Sequence, residues 1–231
     1  PRSFSNVDPE DIESFSILKD ASATAVYGVR GANGVIIINT KSGLKGRPKF
    51  SVRYTEGLTK PTKITDFADG ATYMEMSNEA SLTRGGGKLY SQEIIDKTRR
   101  GEDPYLYPDV DWMKQILRNF SRNRSANVNV QGGSDKAVYY IGRAYYDENG
   151  MYKDTKLADY NSNTFYRRYN VTSNLTLNPF RTTEIKLGIQ GYLANANYPA
   201  SSQASIFESA YFTPPTYIAP LYPDGKLGAF S

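Results

Sequence analysis

Three kinds of segment in this chain have residue types and spacing that invite a chemical reading. The first is Gly28-Val29-Arg30-Gly31-Ala32-Asn33-Gly34, which has the glycine density of a phosphate-cradling loop. It lacks the Gly-Lys-Ser/Thr ending, and it leads into a strand, whereas phosphate loops open a helix. Turns that need positive φ explain these glycines better. The second is the acid group Asp103, Asp109 and Asp111, which does not have the spacing of a calcium loop and reads as solvated loop and helix caps. The third is aromatic: Tyr105, Tyr107 and Trp112 in one long connection, and Tyr211, Phe212 and Tyr217 in another. Flat rings of this kind stack on sugars or grip a peptide, so these six are the candidate ligand-binding residues.

Composition removes most alternatives. The chain has no cysteine and no histidine. That excludes disulfides, thiolate nucleophiles, imidazole bases and the usual zinc ligands, and no metal or cofactor site is expected. No carboxylate pair stands out for glycoside hydrolysis, so a surface glycan hydrolase is disfavoured and the chain reads as a non-enzyme. The net charge is +4 without a basic run, which gives no nucleic-acid arm. Tyrosine is abundant, with 19 residues, and suits places where apolar and aqueous media meet. No apolar run is long enough for a transmembrane helix, but a transmembrane strand needs only about 10 alternating residues. The sequence starts at Pro1 with no signal-like segment, so either processing removed the start or the chain is a piece of something longer.

The elements that would position these residues fall into two regimes. Residues 1–46 read as a compact α/β piece. Asp8-Pro9-Glu10-Asp11 has a helix-start composition, Ile12 to Ile17 alternates as a half-buried strand, and Asp20 caps a short helix through Tyr27. Val35 to Thr40 is a β-branched run, expected to be buried on both faces. From Lys49 onward five strands alternate with period two: 49–58, 124–131, 137–146, 165–177 and 184–193. On the third, Val138, Tyr140, Gly142, Ala144 and Tyr146 are set against Tyr139, Ile141, Arg143 and Tyr145. Helices capped by Asp69, Ser91 and Asp111 are expected in the long first connection, with Tyr90 and Ile95 as a hydrophobic staple and Gly101 as a stop.

Alternation leaves two environments open. In a soluble sandwich the apolar face meets a second sheet, and in an outer-membrane barrel it meets lipid. Connection lengths favour the barrel. Gly132-Gly133-Ser134-Asp135 and Asn178-Pro179-Phe180-Arg181-Thr182 are tight, while 59–123, 147–163 and 195–231 are long. Long and short connections in alternation are the asymmetry of a barrel with long outer loops and short periplasmic turns. The rival is a soluble β-rich binding or adhesion domain.

These residues also carry a resemblance. Asp11-Ile12-Glu13-Ser14, Leu18-Lys19-Asp20-Ala21-Ser22-Ala23-Thr24-Ala25-Val26-Tyr27-Gly28 and Arg30-Gly31-Ala32-Asn33-Gly34-Val35-Ile36 closely resemble the plug signature of SusC/RagA-type TonB-dependent outer-membrane transporters. Asp111-Trp112, Gly132-Gly133-Ser134-Asp135-Lys136, Tyr146-Asp147-Glu148-Asn149-Gly150 and Pro214-Pro215…Asp224-Gly225 are similar to later features of that family.

The resemblance implies a transmembrane antiparallel β-barrel, 22-stranded when complete, closed by a small α/β plug. Residues 1–46 would be the C-terminal part of the plug. Residues 47–231 would be the N-terminal part of the barrel, with about five strands and extracellular loops 59–123, 147–163 and 195–231. It implies a multi-pass protein of the Gram-negative outer membrane, surrounded by lipid and importing oligosaccharides or peptides. A SusD-like lipoprotein would cap it, and TonB would energise it through an N-terminal part that this sequence lacks. In that picture Arg53, Asn129, Arg143, Arg168 and Lys186 face the lumen and hold the plug, and Tyr140, Tyr146 and Tyr169 belong to interfacial girdles.

Overall fold

A computed structural model describes residues 7–19, 28, 34–154 and 163–228. The expected helix through Tyr27 lies outside them. Gly28 and Gly34 have φ of 61° and 90°, as turn glycines should. The described chain forms two compact units, which cut across the division at residue 46. One comprises Pro1–Gly57, Arg122–Glu148 and Tyr166–Ala196, and the other comprises Leu58–Ser121, Asn149–Phe165 and Asn197–Ser231.

In the first unit, the expected helix start at Asp8 is a single 3-10 turn, Pro9–Asp11. Asp8 caps it by accepting the Glu10 N–H, and Ile12 leaves at once in extended conformation, so the turn cannot propagate. β1 (Ile12–Leu18) follows and pairs antiparallel with β2 (Val35–Thr40), Leu18 opposite Val35. β2 is not buried on both faces as expected: Ile36 is 55% exposed. Among the described residues the β1–β2 sheet has two strands and does not enclose its β-branched side chains on every side.

β3 (Gly46–Thr59), β4 (Ser121–Gly133), β5 (Ala137–Asn149), β6 (Phe165–Phe180) and β7 (Thr183–Asn197) form a second sheet in chain order. Tight turns join β4 to β5 and β6 to β7, and the long connections lie at the opposite ends of the strands.

The β4–β5 register fixes the faces. Asn127 opposes Ala144, Asn129 opposes Gly142, and Gln131 opposes Tyr140. These six share one face, and Asn127, Asn129, Tyr140, Gly142 and Ala144 on it are buried. The other face carries Val128, Ile141 and Arg143, all exposed. This corrects the reading of β5: Arg143 pairs with Val128 on the exposed face, and Tyr140 and Tyr146 lie on the opposite face from Tyr169 and form no girdle with it. The physical reason is that tyrosine, glycine and alanine pass as an apolar stripe in sequence, yet here they pack against polar protein groups and need small volume and a hydroxyl. Val128, Val171 and Leu187 are 49%, 40% and 53% exposed, so no described strand seals them into a sandwich core.

The second unit is helical. α1 (Gly70–Thr83) starts at Asp69, whose side chain accepts the Thr72 N–H. α2 (Gln92–Arg100) starts at Ser91 and stops at Gly101, which takes a φ of 67° and donates its N–H to the Lys97 and Thr98 carbonyls. Ala71, Met74 and Ile95 pack with Tyr73 and Tyr90, which places the expected staple pair, Tyr90 and Ile95, in one cluster. α3 (Trp112–Ile116) is shorter than the expected run to Arg118, because Leu117 turns extended and caps it. With α4 (Gln203–Phe212) it buries Met113, Leu117 and Ala210.

Candidate functional site

In the first unit the 3-10 turn delivers its acids to the buried face of β4–β6. Asp11 is 0% exposed, and its Oδ1 accepts the Tyr140 hydroxyl at 2.6 Å. Tyr140 is itself fully buried. A charge-assisted hydrogen bond in such a place is worth about 1.5–3 kcal/mol, while Asp11 Oδ2, which has no partner, costs desolvation energy. Gly142 makes room, since a Cβ there would stand 2.5 Å from Asp11 Oδ1. Asp8 Oδ1 accepts from Asn127 at 3.2 Å, and Asn127 in turn accepts from Asn129 at 2.9 Å. Burial raises the Asp8 pKa above the usual carboxylate range; the Glu10 N–H opposes this, and Asp11 adds to it.

Further contacts tie the same surfaces. Asn174 donates to Thr40 Oγ1 at 2.9 Å and to the Lys41 carbonyl at 2.7 Å. Lys45 pairs with Asp135 at 2.7 Å, which holds the Asp135 carboxyl below its ordinary range. A Cβ on Gly43 would lie 2.1 Å from the Tyr139 backbone nitrogen, so only glycine allows that approach.

The five residues expected at this interface divide. Arg53 pairs with Glu10 at 3.1 Å, an exposed pair worth about 0–1 kcal/mol. Asn129 lies second in the Asp8 chain. Arg168 donates to Asn170 Oδ1 at 2.9 Å, sits over the Tyr146 ring and adds attraction at Asp8. Lys186 pairs with Glu184 along its own strand. Arg143 is on the other face. The strongest contact, Tyr140 to Asp11, is one that sequence reading missed, because a buried acid carries no signal in a hydrophobic alternation.

The second unit holds a cavity of about 470 Å³. Trp112, Tyr211 and Phe212 line it together with Phe67 and Tyr73. Phe67 and Tyr211 approach to 5.4 Å between centroids. Two bonds fix the wall: Trp112 Nε1 donates to the Pro214 carbonyl at 3.2 Å, and the Val110 N–H donates to Pro215 at 2.9 Å. Asp69 and Asp111, which also line it, are helix caps, and Asp109 accepts the Gly70 N–H at 2.7 Å. At Asp111 partial burial opposes ionisation, but the Lys114 ammonium and backbone N–H outweigh it and hold the pKa low.

The remaining candidates lie elsewhere. Tyr105 stacks on Tyr222 at 5.8 Å, Tyr107 sits beneath the Lys97 ammonium, and Tyr217 is exposed beside Pro214. Asn78 is a further residue missed in sequence: buried, it accepts the Leu89 and Tyr90 N–H groups and donates to the Tyr90 carbonyl. Among the described residues no cluster of acids could hold a metal.

No family model matches the chain. It is 32% identical over 204 residues, 87% of its length, to the TonB-dependent receptor SusC of Bacteroides thetaiotaomicron. It is 29% identical over 158 residues, 67% of its length, to the TonB-dependent receptor P26 of Formosa agariphila. The chain spans 18% and 15% of those relatives. Among solved structures, the RagAB peptide importer in its open-open state aligns over 97% of this chain and 26% of that one, with a TM-score of 0.72. The closed-closed state gives 0.71, and at 24% identity the likeness is one of fold. The five-stranded sheet accordingly has the fold of a stretch of β-barrel wall.

Proposed function

Because the chain is of the SusC/RagA type of TonB-dependent receptor, we propose that the protein it belongs to imports a nutrient, an oligosaccharide or a peptide, across the outer membrane. The single observation that carries this is the 32% identity to SusC across 87% of the chain. On this reading residues 1–46 belong to the plug, and β3 to β7 begin the barrel wall. The Asp8, Asp11, Asn127 and Tyr140 contacts then seat the plug against the wall. The long connections carry the aromatic cavity on the outer side, where a SusD-like lipoprotein closes over the ligand. TonB acts through the plug, and the wall stands in lipid.

Such a mechanism requires a seat that holds at rest and yields under pull. One strong buried bond surrounded by weak exposed pairs has that character, since the exposed pairs add about 0–1 kcal/mol each. The test is growth of a deletion strain on single oligosaccharides or on defined peptides as sole nutrient. Loss of growth on one ligand class, restored by the full-length gene, is the expected result. Unimpaired growth on every ligand, with the protein extractable in plain buffer, would sink the import reading.

A further inference from the structure

Arg143 is a problem for a wall in lipid. It lies on the face opposite Tyr140, exposed, beside Val128 across the strand pair and between Ile141 and Tyr145 along its own strand. It has no ion-pair or hydrogen-bond partner among the described residues. A bare guanidinium on the lipid side of a barrel costs about 2–4 kcal/mol at mid-depth and far less near the interface. It therefore needs an anion or a route to the headgroups.

Both are at hand. Two residues on, roughly 7 Å along the strand, Tyr145 packs on Tyr169 with centroids 4.9 Å apart. Two residues further, Asp147 is held between Arg167 at 2.9 Å and Arg124 at 3.6 Å. The Asp147 side chain is only 7% exposed, whereas the two arginines remain 44% and 40% exposed. Arg124 Nε is buried without a hydrogen-bond partner. Among the described residues, three guanidiniums thus stand around one carboxylate, on either side of a tyrosine pair, at the end of β5 that leads to a long connection. An aromatic pair at that level marks the membrane interface, and the excess positive charge selects an anion there. Guanidinium forks match phosphate geometry, and the Arg143 stem is long enough to lift its head toward the tyrosine pair.

We propose that Arg143, with Arg124 and Arg167 around Asp147, binds the phosphate of an outer-leaflet lipid. The site rests on the membrane reading above. The test uses the full-length transporter extracted in detergent, stripped of lipid and incubated with diphosphoryl lipid A or with phosphatidylethanolamine, with retained lipid counted by native mass spectrometry. Wild type should retain lipid A selectively. R143Q, which leaves the Asp147 pairs untouched, should bind it about tenfold more weakly, the loss of one charge-assisted contact, and R143K should fall between. Equal retention by R143Q and wild type overturns the proposal, as does equal retention of the two lipids. So does a protein dimer that R143Q dissolves with no lipid bound. Full-length protein that stays soluble without detergent would instead overturn the membrane reading itself.

Discussion

The Tyr140 hydroxyl donates to Asp11 Oδ1 at 2.6 Å, joining two fully buried side chains that lie 129 residues apart in sequence. Asp11 Oδ2 is already without a partner, so this hydroxyl is the carboxylate's one strong contact. Tyr140→Phe should therefore cost about 1–3 kcal/mol, the price of a buried acceptor left bare. In the full-length transporter the expected result is a lower thermal midpoint and cells sensitised to a hydrophilic antibiotic too large for porins. Unchanged sensitivity with unchanged stability would show that the bond does not seat the plug.

Gly142 tests the same seat by volume. A Cβ there would stand 2.5 Å from Asp11 Oδ1, whereas one on Gly191 would meet nothing within 4 Å. Overpacking of a buried contact costs about 1–3 kcal/mol. Gly142→Ala should lower stability by that amount, and Gly191→Ala should leave it nearly unchanged. Equal thermal midpoints for the two variants would refute the close approach.

Asp8 gives the seat a pH dependence. Burial raises its pKa in the folded protein, so folding favours the protonated form. Its stabilising contribution is complete below the unfolded carboxylate value, about 3.9. It is lost as pH rises through the higher folded value. Wild type should thus gain stability relative to Asp8→Asn as pH falls from neutral into the carboxylate range, because Asn keeps an oxygen for the Glu10 and Asn127 donors without titrating. Parallel thermal-midpoint curves for the two proteins over that range would rule the linkage out.

What the sequence revealed follows from which forces leave a local imprint. Strand positions, tight turns and the caps at Asp69, Ser91 and Asp111 all came through, because alternation and backbone capping are written over a few adjacent residues. The facing of β5 did not. Tyr140, Gly142 and Ala144 look apolar, and contacts from the distant Asp8 and Asp11 make their face the protein-facing one. Arg143 was misplaced for the same reason. Asn78 was invisible because its two partners, Leu89 and Tyr90, lie in an irregular segment. The aromatic candidates were half separable: Trp112, Tyr211 and Phe212 converge because Pro214 and Pro215 bond back to Trp112 and Val110, a contact no spacing rule contains.

That convergence sets the last expectation. Trp112 offers the cavity a ring and spends its N–H on Pro214, so its two contributions separate. Trp112→Phe keeps an aromatic surface and gives up one hydrogen bond, a net loss of about 0.5–1.5 kcal/mol in local stability. Trp112→Ala removes the ring as well, and Tyr211→Ala removes the partner of Phe67. If the cavity takes the nutrient, both alanine variants should weaken ligand binding by the full-length transporter about tenfold or more, as loss of a stacking ring of 0.5–1.5 kcal/mol plus its buried area implies. Trp112→Phe should weaken it much less. Tyr105→Ala is the control, since Tyr105 stacks on Tyr222 and does not line this cavity. Isothermal titration with the ligand class identified by growth makes the comparison. A larger loss in Tyr105→Ala than in Trp112→Ala would move the binding surface away from the cavity.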